Sequence, residues 1–183
     1  MSTPWTLIYA YLAYGLAVLL AVVSWLGGRL QGALYGRAGD GRLDEIWLEL
    51  AHWLAQYLRF FTIAGGVLTL CGLILAALSS GEPAEVTASH RGYLLRFAAI
   101  AFAALCLGYV GQGDLSKYYL DLAAAVLCGW ALWVIVAGAR ALAGGAAVAG
   151  PALWWLGLVV VLLLFVRLVV LLFFVSPDNP NQF

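Results

Sequence analysis

The chain has 183 residues, of which 65% are hydrophobic and only 10% are charged. Soluble domains contain about half apolar and about a quarter charged residues, so this composition excludes a soluble globular fold. Nine basic and nine acidic residues cancel, and no basic surface or polybasic run predicts a partner among nucleic acids.

Five long apolar stretches divide the chain. No charged residue precedes Arg29, and only Arg167 interrupts the last stretch. A hydrocarbon core of about 30 Å requires roughly 20 apolar residues in a helix, so the sequence predicts an all-α, polytopic membrane helix bundle forming one domain over residues 1–183. The first stretch lacks a positively charged start and is expected to be a retained span. The five predicted spans cover about residues 4–28, 61–78, 92–110, 118–139 and 152–175.

Between the first two spans, residues 44–60 carry the periodicity of an amphipathic helix. One side of this helix is a polar stripe: Glu45, Glu49, His52, Gln56 and Arg59. The opposite side is apolar: Ile46, Leu50, Trp53, Leu54 and Tyr57. This pattern is typical of a helix in the membrane interface, and the helix can continue directly into span two.

The basic residues predict an orientation. Five spans place one set of basic residues on one side, namely Arg29, Arg37, Arg42, Arg59 and Lys117, and a smaller set on the other, namely Arg91, Arg96 and Arg140. The positive-inside rule puts the larger set in the cytoplasm. We therefore expect a multi-pass protein of the bacterial inner membrane with its N-terminus outside and its C-terminus inside.

Spans three and four contain features that predict packing. Ala104 and Gly108, like Ala125 and Gly129, have the small-xxx-small spacing that allows close approach of helices in lipid. Trp130 and Trp133 fall near the middle of span four rather than at an interface. We expect their indole N–H groups to find partners or to face another subunit.

Residues that could bind a cofactor are few. His52 precedes span two and His90 precedes span three, which predicts opposite membrane faces, so the two cannot ligate one haem within a chain. Each is expected to be an interfacial histidine in a polar stripe, although a haem shared between subunits, or one that pairs a histidine with another ligand, stays open. Cys71, Cys106 and Cys128 lack metal-binding spacing and are expected to be packing residues. The sequence predicts no catalytic, cofactor-binding or metal site, and no enzyme.

Arg167 is an ionisable residue within a long apolar run. A charge at the centre of a membrane helix costs at least about 2.5 to 3.5 kcal/mol on insertion scales. Asp121 is predicted to lie at a similar depth in span four, so the two residues are a candidate intramembrane charge pair. The alternatives are that Arg167 snorkels to the headgroups or that it pairs with a carboxylate of another protein.

One part of the sequence resembles a known family. The segment SHRGYLLRF at residues 89–97 is followed by WALW at residues 130–133 and then by Gly138, Leu142 and Gly144. This arrangement is similar to that of a family of small three-span bacterial membrane proteins of unknown function. The resemblance covers roughly residues 60–150 and implies no activity.

Three classes of function fit these observations. The leading one is a non-catalytic integral membrane subunit, or assembly partner, of a larger membrane complex. Its partners would be other membrane proteins, further copies of itself, and lipids. The alternative is a small transporter or channel component that uses Asp121 and Arg167, since intramembrane ionisable residues mark such pathways. The third is a redox membrane anchor.

Overall fold

The computed structural model of the chain describes residues 5–37, 44–81, 83–109 and 114–174. These ranges form five α-helices, and no strand occurs among them. The predicted all-α class is therefore confirmed. The helices are α1 (Trp5–Arg37), α2 (Asp44–Ala77), α3 (Ala84–Tyr109), α4 (Asp114–Ala143) and α5 (Pro151–Phe174).

Three of the five helices are long and apolar enough to cross a membrane: Trp5–Leu34, Glu45–Ala77 and Leu122–Ala143. The predicted count of five is thus met only in part. The first half of α3 carries several polar residues, which lower its mean hydropathy: Glu85, Thr87, Ser89, His90, Arg91 and Arg96. The apolar part of α5, within the described residues, is the shorter stretch Pro151–Val166.

The predicted amphipathic helix is not a separate element. It is the first half of α2, which continues without interruption from Asp44 to Ala77. At 1.5 Å per residue, these 34 residues extend over about 50 Å, whereas the hydrocarbon core is about 30 Å thick. Part of α2 therefore lies outside the hydrocarbon if the helix crosses the membrane upright.

Helices α1 and α2 form a long antiparallel hairpin. Gly27 of α1 lies against the Leu58 side chain, and Gly72 of α2 lies against the Tyr14 ring, at 3.2–3.3 Å from where a Cβ would stand. The α2 residues that face α1 recur every seventh position at Leu58, Gly65 and Gly72. This is the spacing of left-handed coiled-coil packing, with the small residues allowing the helices to approach closely.

The remaining helices pack on one side of this hairpin. The closest approach of α1 to α4 is at Gly138, where an added Cβ would be only 2.6 Å from the Tyr11 hydroxyl oxygen. The small-residue motif predicted for α4 does not perform this role. Ala125 and Gly129 are exposed, and nothing lies within 4 Å of a Cβ built on Gly129. At Gly138, α4 is close to α1 through an aromatic ring that fits against glycine, rather than through the predicted small-xxx-small motif.

Candidate functional site

A hydrogen-bonded histidine lies in the interior of the bundle. His90, near the start of α3, is fully buried. Its Nδ1 atom is 2.8 Å from the Tyr11 hydroxyl, and its Nε2 atom is 2.9 Å from the carbonyl oxygen of Ala146. Since a carbonyl can only accept, Nε2 carries the proton and Nδ1 accepts from Tyr11. His90 therefore joins α1, α3 and the connection between α4 and α5.

The turn between α4 and α5 sets the position of the carbonyl oxygen to which His90 is bonded. Helix α4 ends with the Gly145 N–H bonded to Leu142 O, at 3.0 Å, and the Ala146 N–H bonded to Ala141 O, at 3.0 Å. These two bonds define a Schellman motif, which requires a left-handed residue at Gly145. Gly145 has a φ of 66°, which glycine adopts without steric cost. The turn after α4 thus positions Ala146 for the histidine.

Neighbouring residues of α3 extend the same cluster. The Ser89 hydroxyl donates to Val148 O at 3.3 Å, and the buried Tyr93 hydroxyl donates to Val134 O at 3.0 Å. One turn further on, the Phe97 ring packs edge-on against Tyr14, with centroids 5.3 Å apart. All of the α3 residues in this cluster belong to the segment 89–97 that carries the family resemblance. We call Tyr11, Ser89, His90, Tyr93 and Ala146 the histidine cluster.

His90 does not lie in an exposed polar stripe, because three parts of the chain enclose it; its depth relative to the membrane interface stays a prediction. Burial lowers the pKa of His90, since the imidazolium loses hydration, and the hydrogen bond to Ala146 opposes this shift only in part. His90 is therefore held neutral with both ring nitrogens engaged. This arrangement suits a structural role better than ligation of a metal or transfer of a proton.

The two histidines are far apart along the bundle. The Gly27–Leu58 and Tyr14–Gly72 contacts place His52 at the height of residue 33 in α1. His90 is level with Tyr11, which it contacts. The difference corresponds to about 33 Å along the helix axes, too far for one iron atom. His52 is exposed, and its Nδ1 atom lies 2.8 Å from Leu48 O.

The predicted polar stripe of α2 is exposed in the structure. Glu49, His52, Gln56 and Arg59 all lie on the surface, and the neighbouring rings of Trp53 and Tyr57 are 4.3 Å apart at their centroids. No membrane is present to show which of these side chains meets headgroups. Their location at the membrane boundary stays a prediction.

The two tryptophans of α4 differ in environment. Trp133 is 55% exposed, whereas Trp130 is half-buried and contacts the Trp133 ring at a centroid distance of 6.2 Å. The Trp130 Nε1 atom is buried and has no hydrogen-bond partner among the described residues. Of the pair, only Trp133 therefore presents its ring to a partner or to lipid.

The candidate charge pair falls outside the described side chains. Asp121 belongs to α4 and Arg167 to α5, but the structure describes neither side chain, so their pairing stays a prediction. Cys71 is exposed and Cys128 is half-buried. Among the described residues, no group of three or more His, Cys, Asp or Glu side chains could hold a metal ion.

The tyrosines of the histidine cluster were not among the site residues predicted from the sequence. Tyr11 and Tyr93 lie in apolar segments where a hydroxyl requires a hydrogen-bond partner. That requirement was a usable signal, but it could not identify His90 and Val134 as the partners. No protein-family model, curated protein or solved structure matches this chain.

Proposed function

We propose that this protein is a non-catalytic integral membrane subunit, or assembly partner, of a larger membrane complex. One observation carries the proposal: the polar side chains of the histidine cluster are all engaged in bonds that hold the chain's own helices together. His90 and Tyr11 bond to each other, while Ser89 and Tyr93 bond to main-chain carbonyl groups. None of these groups is left to bind a substrate.

The outer surface supports the same proposal. Large apolar side chains are exposed along all the long helices, among them Phe102 of α3, Trp133 of α4 and Trp154 of α5. Lipid covers such surfaces in a membrane, and neighbouring membrane proteins compete for them through close packing. The exposed Trp133, next to the half-buried Trp130, offers a rigid aromatic contact to a partner.

The proposed topology has five spans in the bacterial inner membrane, with the N-terminus outside and the C-terminus in the cytoplasm. Three helices meet the length and hydropathy of a span, and α3 and α5 would complete the bundle by packing against them. This topology places the histidine cluster near the outer side. The segment 89–97, which carries the proposed resemblance to small three-span membrane proteins, supplies the α3 residues of this cluster.

The alternative function, a small transporter or channel component, depends on Asp121 and Arg167 as pathway residues. The third, a redox anchor, requires a haem bound with ligands from another chain. An absorption spectrum of the protein purified from native membranes distinguishes the redox anchor directly. A haem Soret band in stoichiometric amount would contradict the proposed function and support the redox anchor.

The proposal is tested by isolating the tagged full-length chain from native membranes in mild detergent and identifying the proteins that remain bound. We expect at least one other membrane protein in fixed ratio, and we expect Trp133→Ala to reduce its recovery. Phe102→Ala is the matched control, because Phe102 is also a large exposed aromatic residue but lies on α3. Recovery of the chain without any other membrane protein would contradict the proposal.

A further inference from the structure

The large exposed apolar residues of α1 follow a regular repeat. They are spaced alternately four and three residues apart over the length of the helix, and each is at least 45% exposed. This is the 3.5-residue period of a helix–helix seam. The stripe consists of Trp5, Tyr9, Leu12, Leu16, Leu19, Val23, Leu26 and Leu30.

Helix α2 carries a second stripe with the same period. Its members also alternate between spacings of four and three residues, and all are exposed apart from the half-buried Ala64. The contact of α2 with α1, at Leu58, Gly65 and Gly72, has the same period, so the stripe keeps to one side of the hairpin over its whole length. The stripe consists of Ile46, Leu50, Trp53, Tyr57, Phe60, Ala64, Val67, Cys71, Ile74 and Leu78.

The two stripes lie on the same side of the α1–α2 hairpin. On α1 the stripe is displaced by about a third of a turn from the residues that contact α2, such as Gly27, and on α2 by about a third of a turn from Leu58 and Gly65. When each helix is viewed from its own N-terminus, the stripe is rotated away from the contact residues in the same direction on both helices. Because the helices are antiparallel, this brings both stripes to one side, opposite α3 and α4. We call this surface the hairpin face.

In the proposed topology, acyl chains do not cover the whole hairpin face. Charged residues begin at Arg59 on α2 and at Arg29, at nearly the same height on α1, which marks the end of the hydrocarbon region. The α2 stripe continues for about 20 Å past this level. Four large apolar side chains lie there, each at least 42% exposed: Ile46, Leu50, Trp53 and Tyr57.

We propose that the hairpin face binds the hairpin face of a second copy of this chain, forming a symmetric four-helix bundle with a two-fold axis along the membrane normal. Two antiparallel helices with 3.5-residue stripes on one side are half of such a bundle. In this arrangement α1 of each copy packs against α2 of the other. The dimer goes beyond the proposed function, since a dimeric chain need not be an accessory subunit.

The size of the hairpin face suits a stable dimer. Two helices, each about 10 Å wide and in contact for about 38 Å, offer roughly 750 Å² per copy. Stable interfaces bury about 800 Å² per partner.

The first test uses two differently tagged full-length copies expressed in the same membrane, with one tag captured in mild detergent. Leu50→Glu places a carboxylate in the interface, and we expect at least tenfold less of the second tag. Leu48→Glu is the matched control, because Leu48 is 38% exposed and Leu50 is 42% exposed, but Leu48 lies away from the hairpin face. Both positions are outside the hydrocarbon, so neither change blocks insertion.

The second test uses disulfide formation in intact membranes. The hairpin register places Leu16 of one copy near the height of Cys71 in its partner, so Leu16→Cys should give a covalent dimer on mild oxidation. Leu26→Cys lies on the same stripe but about 17 Å away in height, and we expect no dimer from it. The wild-type chain, treated in the same way, measures any covalent dimer that its own cysteines form.

Each outcome decides between the dimer and its alternatives. Loss of the second tag with Leu50→Glu but not with Leu48→Glu, together with a dimer specific to Leu16→Cys, supports the dimer. Equal loss with both glutamate variants, equal cross-linking at positions 16 and 26, or no second tag with the wild-type chain overturns it. Recovery of a different membrane protein without the second tag would refute the dimer while leaving the proposed function intact.

Discussion

Removing the Tyr11 hydroxyl should destabilise the bundle through His90. In Tyr11→Phe the ring keeps its contacts, but the buried Nδ1 atom of His90 loses the 2.8 Å hydrogen bond that it accepts. Leaving a buried acceptor unpaired costs about 1–3 kcal/mol. Tyr9→Phe removes a hydroxyl from the same helix at an exposed position, so it leaves no buried acceptor unpaired, and it serves as the matched control.

This cost corresponds to a measurable loss of thermal stability. For a domain of this size, 1 kcal/mol shifts the melting midpoint by about 2–4 °C, so we expect a decrease of about 2–12 °C for Tyr11→Phe. Tryptophan fluorescence of the protein in mild detergent follows the transition, since the chain has eight tryptophans. Equal midpoints for Tyr11→Phe and Tyr9→Phe would refute the assignment of the Tyr11–His90 bond.

The same bond predicts a pH dependence. Burial lowers the pKa of His90 in the folded chain, whereas the unfolded histidine titrates near its ordinary value of about 6.5. Between these two pKa values the unfolded chain binds more protons, so stability falls as the pH decreases below about 6.5 and is unaffected by His90 above it. His90→Gln should remove this dependence, while His52→Gln should retain it. A dependence that survives in His90→Gln would exclude the histidine as its source.

Three further predictions concern two glycines of the bundle and the intramembrane Arg167. Gly138→Ala should destabilise the bundle by about 1–3 kcal/mol because its Cβ would overlap the Tyr11 ring, whereas Gly129→Ala, with open space around it, should not lower the melting midpoint. Gly145→Ala should cost about 1–2 kcal/mol because its φ of 66° is strained for alanine; an unchanged midpoint would contradict the Schellman turn. Arg167→Leu should make the chain itself unstable if Arg167 pairs within the chain, and should release a partner if it pairs with another protein. Unchanged stability and unchanged assembly would favour snorkelling.

The amino-acid sequence by itself determined the helical class and the approximate locations of the helices. Apolar segments of membrane length can be recognised in the sequence without any partner, because the hydrocarbon acts on each helix separately. Proline suits the first turn of a helix, and α5 begins at Pro151, whereas α1 and α2 extend well beyond the predicted spans. The sequence also separated the polar stripe of residues 44–60 from the apolar side. It left open whether these residues form a separate helix or continue into span two, and the structure shows one continuous helix, Asp44–Ala77.

Only the tertiary structure decided what the buried polar groups do. His90 precedes a predicted span in the sequence, which suggested an exposed interfacial position, yet it is enclosed because Tyr11, 79 residues away, and Ala146 satisfy both of its ring nitrogens. Periodicity reports which side of a helix is apolar, but not which helix covers it. The position of Gly138 against Tyr11, and the presence of both exposed stripes on one side of the hairpin, likewise depend on the register and direction of neighbouring helices. Those properties arise from side-chain fit between segments distant in the chain.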